Sequence, residues 1–277
     1  MKKLKRITVF TDMSGFGKCA LTVAIPIINA SGIEVIPVPT ALLSTNTKFP
    51  GFYMFDFTGQ MEPYLNHLSG LELKSDALYS GFLSNVRQAD MVQEFMEGSG
   101  GLKLVDPIMG DNGKPYRTFG PELCGRIGGL CKAADIITPN VTEAYILAGE
   151  SYSDDMVGGK IRAVCERISE KGARTIIITG VERGNALYNC VYDVNGYREH
   201  EAELLPFRMS GTGDMFASLI ISSAVNGLGI DEAIDKAQSF ISLVMKKSAE
   251  YEDYQDRGPC FEPYLWMLGE HSPVRKA

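Results

Sequence analysis

The chain has 277 residues, 45% hydrophobic and 22% charged, enough for one sizeable core or two small domains, and this excludes disorder for its bulk. A formal net charge of −7 argues against a surface that gathers nucleic acid or anionic lipid. No apolar run approaches the roughly 20 residues a membrane span needs.

The N-terminus is basic over 1–6, but the apolar stretch behind it, 7–10, is too short for the ~7–15-residue core of an export signal. A cytoplasmic location is therefore expected. Residues 7–10 read as a strand, and 18–30 as a helix entered through Gly15-Phe-Gly17-Lys-Cys-Ala20. A second strand is predicted over 35–38. Residues 40–57, rich in Ser, Thr, Pro, Gly and aromatics, are long for a connection and read as a flap. Helix 61–68, strand 77–80, helix 86–97, strand 102–105, helix 121–133 and strand 136–138 follow. Then come helices 142–148 and 157–171 and the wholly apolar strand 175–179, which suits a sheet covered on both faces. Residues 185–203 read as a hairpin turning near Asn195-Gly196, a type I′ turn pair. Helices 215–226 and 230–250 and an acidic, tyrosine-bearing surface segment over 249–263 complete the chain. Such alternation predicts an α/β fold: three α-β-α layers in one domain, around a mainly parallel sheet. Ligands of such folds bind at the carboxyl ends of the strands.

Three clusters fall there. Gly211-Thr212-Gly213-Asp214 precedes a helix, where unpaired N–H groups and the helix dipole make an anion hole and Asp214 could take a proton. An ordinary cap is the plainer alternative, but two glycines around a threonine exceed what a cap needs. Asp106-Pro-Ile-Met-Gly-Asp111 ends a strand with two carboxylates, the hard oxygen ligands magnesium requires, or else a turn with solvated acids. In Thr138-Pro-Asn140-Val-Thr-Glu143, Asn140 and Glu143 share one helix face, and the spacing equally fits a capping box.

Other signals are weaker. Gly15–Ala20 matches a dinucleotide fingerprint, but Glu34, the acid at the right distance, precedes the second strand instead of ending it. It is not a phosphate-binding P-loop, because Asp12 stands where the first glycine belongs and Cys19 follows Lys18. A tight strand–helix turn and a substrate loop compete evenly there. The six cysteines form no C-x-x-C pair and read as buried small hydrophobes. His67, His200 and His271 lack ligand spacing, so zinc has no support.

The order D-P-x-x-G-D, T-P-N-x-x-E, G-T-G-D resembles the ribokinase-like family of small-molecule kinases. Within it the chain looks like the pyridoxal kinases, which phosphorylate the 5′-hydroxymethyl group of the B6 vitamers pyridoxal, pyridoxamine and pyridoxine. The resemblance runs nearly end to end and takes in Ser44-Thr-Asn-Thr47, Ser80-Gly-Phe82 and Glu250-Tyr-Glu-Asp-Tyr254. It implies Asp214 as the base and Gly211, Thr212 and Gly213 as the anion hole. Asp106, Asp111, Asn140 and Glu143 would hold Mg2+ and the ATP phosphates, with Asp106 and Glu143 as the metal residues. Thr138 and Thr179 match positions near the nucleotide; Thr47 and Phe82 match positions lining the pyridine pocket, though Phe82 is commonly tyrosine. A monovalent cation such as K+ and a homodimer are also implied.

The first loop departs from that pattern. The family usually has S-H-V-x-x-G there, whereas Thr11-Asp12-Met-Ser14-Gly-Phe-Gly17 looks closer to the S-D-P-S-G-G-x-G of hydroxymethylpyrimidine kinases. Those enzymes typically carry G-T-G-C, not G-T-G-D. Asp12 and Ser14 are thus candidate ring contacts, with Asp12 suited to a protonated ring nitrogen. The rivals are a hydroxymethylpyrimidine kinase, a nicotinamide oxidoreductase resting on Gly15–Ala20, and a B6-binding protein without catalysis.

Overall fold

The structure, a computed structural model, describes residues 3–153 and 158–269. In chain order its elements are β1 (Arg6–Phe16), α1 (Leu21–Ala30), β2 (Glu34–Thr45), β3 (Met54–Asp56), α2 (Thr58–Gly70), β4 (Ala77–Ser80) and α3 (Val86–Gly98). Next are β5 (Leu102–Val105), β6 (Gly110–Asp111), β7 (Lys114–Pro115), α4 (Pro121–Ala133), β8 (Ile136–Ile137), α5 (Val141–Ala148) and α6 (Gly158–Glu170). The last are β9 (Thr175–Arg183), β10 (Ala186–Asp193), β11 (Gly196–Glu203), α7 (Thr212–Val225), α8 (Ile230–Ser248), α9 (Tyr254–Arg257) and a 3₁₀ helix (Glu262–Leu268). Among the described residues no helix is long and apolar enough to cross a membrane.

The chain forms two compact units, Met1–Leu78 with Leu205–Ala277, and Tyr79–Leu204. In the first, the strand order is β4-β1-β2-β3, with β1 and β2 parallel and β3 returning antiparallel on β2. Helix α1 packs on β1 and β2 and against α7, which lies against α8. In the second unit β5, β8 and β9 run parallel, and β10 and β11 extend them antiparallel. Strand β4 is buried along its whole length, as a strand covered on both faces must be. This is the predicted α/β, mainly parallel architecture.

Three boundaries differ for physical reasons. The sequence marks strand over 7–10, yet β1 continues to Phe16 because Met13, Ser14 and Phe16 pair with Leu42, Leu43 and Thr45. The expected flap over 40–57 is a β-hairpin: 40–45 belong to β2, and Ala41, Leu42 and Leu43 face Asp56, Phe55 and Met54. Its period-2 signal is there, with Ala41 and Leu43 buried and Leu42 and Ser44 exposed, but threonine, serine and proline mask it. Helix α1 starts at Leu21, not 18, because Gly17 and Ala20 take positive φ.

Smaller corrections follow the same logic. Asp193 pairs with Gly196, so the hairpin turn centres on Val194-Asn195, and only Gly196 has positive φ, +91°. A type I′ turn would need two such residues, Asn195 among them. Within 249–263 the surface expectation fails for 258–261, which are buried; Cys260 N–H donates to Ser248 Oγ at 2.8 Å. Helix α7 begins at Thr212, three residues early. The expected helix start at Val157, and Met1, Lys2 and His271, lie outside the described residues.

Candidate active site

The carboxyl end of β1 alternates sharply. Asp12 and Ser14 point inward and are buried, whereas Met13 between them is 44% exposed. After Phe16 the chain turns at Gly17 (φ +74°) and comes back so that Ala20 bridges antiparallel to Met13. The two fingerprint glycines are consumed by this packing. A Cβ at Gly15 would lie 2.8 Å from the Ser44 carbonyl oxygen, and one at Gly17 would strike Asn46. They serve strand contact, not a dinucleotide.

Asp214 stands in the first turn of α7, not at its cap, which is Gly211 with φ +85°. Burial pushes its carboxyl up to about 6, outweighing the main-chain N–H groups of Ala20 and of Asp214 itself, which favour the ionised form. Asp12 is raised to about 7, first by burial and then by the charge of Asp214. Ser14 Oγ donates to Asp12 Oδ2 at 3.3 Å, and Cys19 Sγ donates to Ser14 Oγ at 3.2 Å. Cys19 is therefore not the buried hydrophobe expected: it is half-exposed and ends a hydrogen-bonded chain to the acids. Burial, then Asp214 and Asp12, push its thiol up, so it stays protonated and unreactive. Cys124 is also half-exposed; the other four cysteines are buried as expected.

The Gly211-Thr212-Gly213 loop is held from below. A Cβ on Gly211 would lie 2.5 Å from the Lys18 carbonyl oxygen, whereas Gly213 faces open space. Thr212 Oγ1 donates to the Met209 carbonyl at 3.2 Å. Lys18 itself is tied down, its Nζ donating to the Pro259 carbonyl at 3.0 Å and pairing with Glu262. Thr47 is exposed beside buried Asn46, whose Nδ2 donates to the Gly17 carbonyl at 3.1 Å. Asp12, Ser14, Cys19, Gly211 and Asp214 thus come together in the first unit.

A second cluster lies in the second unit. Asp106 follows β5 and is buried, and Glu143 is buried in the first turn of α5. Asn140 and Glu143 form the capping box: Asn140 Oδ1 accepts Glu143 N–H at 2.9 Å, and Glu143 Oε2 accepts Asn140 N–H at 2.8 Å. Glu143 Oε1 accepts Met109 N–H at 3.1 Å, and Asn140 Nδ2 donates to the Gly110 carbonyl at 2.9 Å, so α5 anchors the loop after β5. Burial, then the charge of Asp106, pushes Glu143 well above the usual carboxylate range. Thr179 N–H donates to the Pro139 carbonyl at 2.9 Å and bridges Asn140. Thr138 Oγ1 is buried with no hydrogen-bond partner. Asp111 does not share this burial; it is exposed, with its oxygens accepting from Asn112. Phe82 is half-buried, its ring edge against Phe119 at 5.9 Å.

Met109 carries no side-chain signal in the sequence, since it meets Glu143 through its main-chain N–H. The Cys19–Ser14 link, which depends on the turn at Gly17, is not legible there either. Among the described residues, no group of three or more Asp, Glu, His or Cys is placed to hold a metal. Asp106 and Glu143 are a two-carboxylate set, which suits magnesium completed by water and phosphate.

Residues 68–259 match a family described as phosphomethylpyrimidine kinase. The solved structure of a "putative phosphomethylpyrimidine kinase" from Bacteroides thetaiotaomicron is 34% identical and superimposes with a TM-score of 0.93, over 96% of this chain and 94% of that one. An orthorhombic form of that protein was crystallised with pyridoxal. Pyridoxal kinase from Lactobacillus plantarum is 25% identical, with a TM-score of 0.90 over 96% and 97% of the two chains. A Caenorhabditis elegans protein named "putative pyridoxal kinase" is 29% identical over 189 residues, which are 64% of this chain and only 57% of that one.

Proposed function

The chain belongs to the phosphomethylpyrimidine kinase family, and on that premise we propose that it is a pyridoxal kinase. It transfers the γ-phosphoryl group of ATP to the 5′-hydroxymethyl oxygen of pyridoxal, pyridoxamine or pyridoxine. The observation that carries this reading is Asp214: a buried carboxylate near pKa 6, in the first turn of a helix opened by Gly211-Thr212-Gly213. Above that pH it is a base, and it stands among the unpaired amides that favour developing negative charge.

The chemistry follows from the residues. Asp214 takes the proton of the carbinol; the freed oxygen forms its bond to the γ-phosphorus as the bond to the ADP oxygen breaks. Amides of Gly211, Thr212 and Gly213 stabilise the charge spread over the transferring group. Asp12 and Ser14 serve the ring of the vitamer, Asp12 pairing with its protonated nitrogen. Thr47 and Phe82 are assigned to the pyridine pocket.

In the second unit Asn140, Thr138, Thr179 and Asp111 are assigned to ATP, and Asp106 and Glu143 to Mg2+. The fit is favourable. Two buried carboxylates that repel one another are relieved by a divalent cation, and each Glu143 oxygen keeps a lone pair beyond the N–H it accepts. When bound, magnesium neutralises phosphate charge. K+ enters on the family resemblance alone, with the unpartnered Thr138 Oγ1 as a spare hard oxygen. Six free thiols suit the reducing cytoplasm. A homodimer is supported by a row of exposed apolar side chains, Met13, Leu42 and Phe55, on neighbouring strands.

A second reading, hydroxymethylpyrimidine kinase, is favoured by the Asp12-x-Ser14-Gly15 loop. The test is kcat/KM with ATP and Mg2+ for pyridoxal, pyridoxamine, pyridoxine and hydroxymethylpyrimidine. A B6 vitamer should exceed the pyrimidine by at least about tenfold, the worth of one charged hydrogen bond. The reverse order would select the second reading, and no ATP consumption with any of them would reject both.

A further inference from the structure

Ser14 is wholly buried, and its hydroxyl has one proton to give. That hydroxyl meets two groups, Asp12 Oδ2 at 3.3 Å and Cys19 Sγ at 3.2 Å. The backbone builds the arrangement. Asp12 and Ser14, two residues apart on β1, share its inward face, and Met13 between them bridges antiparallel to Ala20. That bridge sets Ser14 directly opposite Cys19. Thr22 then locks the Cys19 main chain: its Oγ1 accepts the Cys19 N–H at 3.2 Å and donates to the Cys19 carbonyl at 2.8 Å. The thiol therefore reaches Ser14 from a fixed backbone.

We propose that Cys19 is a positioning residue that sets ring specificity: its thiol donates to Ser14, turns the serine proton onto Asp12, and so presents the vitamer ring with a carboxylate that accepts. This rests on the reading of Asp12 as the contact of the ring nitrogen. The sense of the chain follows from its ends. An ionised carboxylate only accepts, so Ser14 must give its proton to Asp12, and the serine oxygen is then free to accept the thiol proton. A hydroxyl that accepts one hydrogen bond donates the next more strongly. With alanine at 19, the buried Ser14 oxygen loses its donor and its proton is no longer directed. No cation takes over: Lys18, beside Cys19, sends its ammonium group to Pro259 and Glu262. Ser14 thus acts on the ring through Asp12, and the site selects a ring that carries an N–H donor over one that does not.

The experiment measures Cys19→Ala and Cys19→Ser with ATP and Mg2+ on pyridoxine and on its benzene analogue, which has C–H in place of the ring nitrogen. Cys19→Ala should raise the KM for pyridoxine about fivefold, the worth of one neutral hydrogen bond, and leave kcat and the KM for ATP within about twofold of the parent. Serine keeps a donor at position 19, so Cys19→Ser should return the pyridoxine KM to near that of the parent. The analogue offers Asp12 no ring N–H, so its KM should not move in either variant. A parent-like pyridoxine KM in Cys19→Ala would overturn the proposal. So would an equal rise for pyridoxine and the analogue, which marks lost packing, or a Cys19→Ser that behaves as Cys19→Ala. Asp12→Leu separates the two claims. A parent-like pyridoxine KM there removes Asp12 from the ring and this proposal with it, whereas a raised KM there beside a parent-like Cys19→Ala removes the role of Cys19 alone. No turnover of pyridoxine by the parent would reject the kinase reading and the proposal together.

Discussion

Asp12 and Asp214 are two acids buried in one unit with no cation between them on β1, the following turn or α7. Their folded pKa values, about 7 and about 6, lie above the ordinary 3.8, so the folded protein holds protons that the unfolded chain releases. The stability these acids allow is fully present below about pH 4 and is lost as pH rises through 6 to 7. Asp12→Asn should therefore stabilise the protein by roughly 3 kcal/mol at pH 8 and by little at pH 4, measured by denaturant unfolding at both pH values. Equal effects at the two would mean that Asp12 is not held up by burial. Asp214→Asn keeps size and shape but cannot take a proton, so kcat should fall by about 10²–10⁴ with nucleotide affinity little changed. Asp214, Asp106 and the Asn140–Glu143 pair were legible in the sequence because side-chain chemistry and spacing mark them. Met109 was not, since what it contributes is an N–H that every residue but proline possesses.

The same contrast holds for elements. Strands β4 and β5 and helix α4 have the bounds the sequence predicts, because apolar runs and helix periodicity end there at once. The β2–β3 hairpin was hidden because strand residues 40–45 include threonine, serine and a solvent-facing Leu42, and because β3 is three residues long. The loop opening α7 gives a sharper test. Gly211 has φ +85° and no room for a Cβ, whereas Gly213 has ordinary φ and open space. Gly211→Ala should cost about 2 kcal/mol or more and displace the loop, lowering both Tm and kcat. Gly213→Ala should fold with near-parent Tm and, if its amide surroundings receive the phosphoryl group, lose activity alone. Thermal unfolding and turnover of the two variants together distinguish a packing glycine from a binding one.

At the scale of the molecule, each compact unit contains one chemical half of the proposed reaction: base, anion hole and Asp12 in the first, Asp106, Glu143 and Asn140 in the second. That division follows the chain's return, since α7 comes from the C-terminal third yet packs on α1 of the N-terminal third, with α8 against α7. Motif order alone could not show it. The exposed Met13, Leu42 and Phe55 give the first unit an apolar strip of the kind that pairs subunits. If the proposed homodimer is built on this strip, Leu42→Lys should give a monomer at micromolar concentration in light scattering, and an unchanged mass would place any interface elsewhere. The most direct test of the central claim is 31P NMR of pyridoxal incubated with ATP, Mg2+ and either the parent protein or Asp214→Asn. The parent should form a 5′-phosphomonoester one-for-one with ADP, and the variant should form it at least about a hundredfold more slowly. No 5′-phosphate from the parent, or equal rates from both proteins, would contradict that claim.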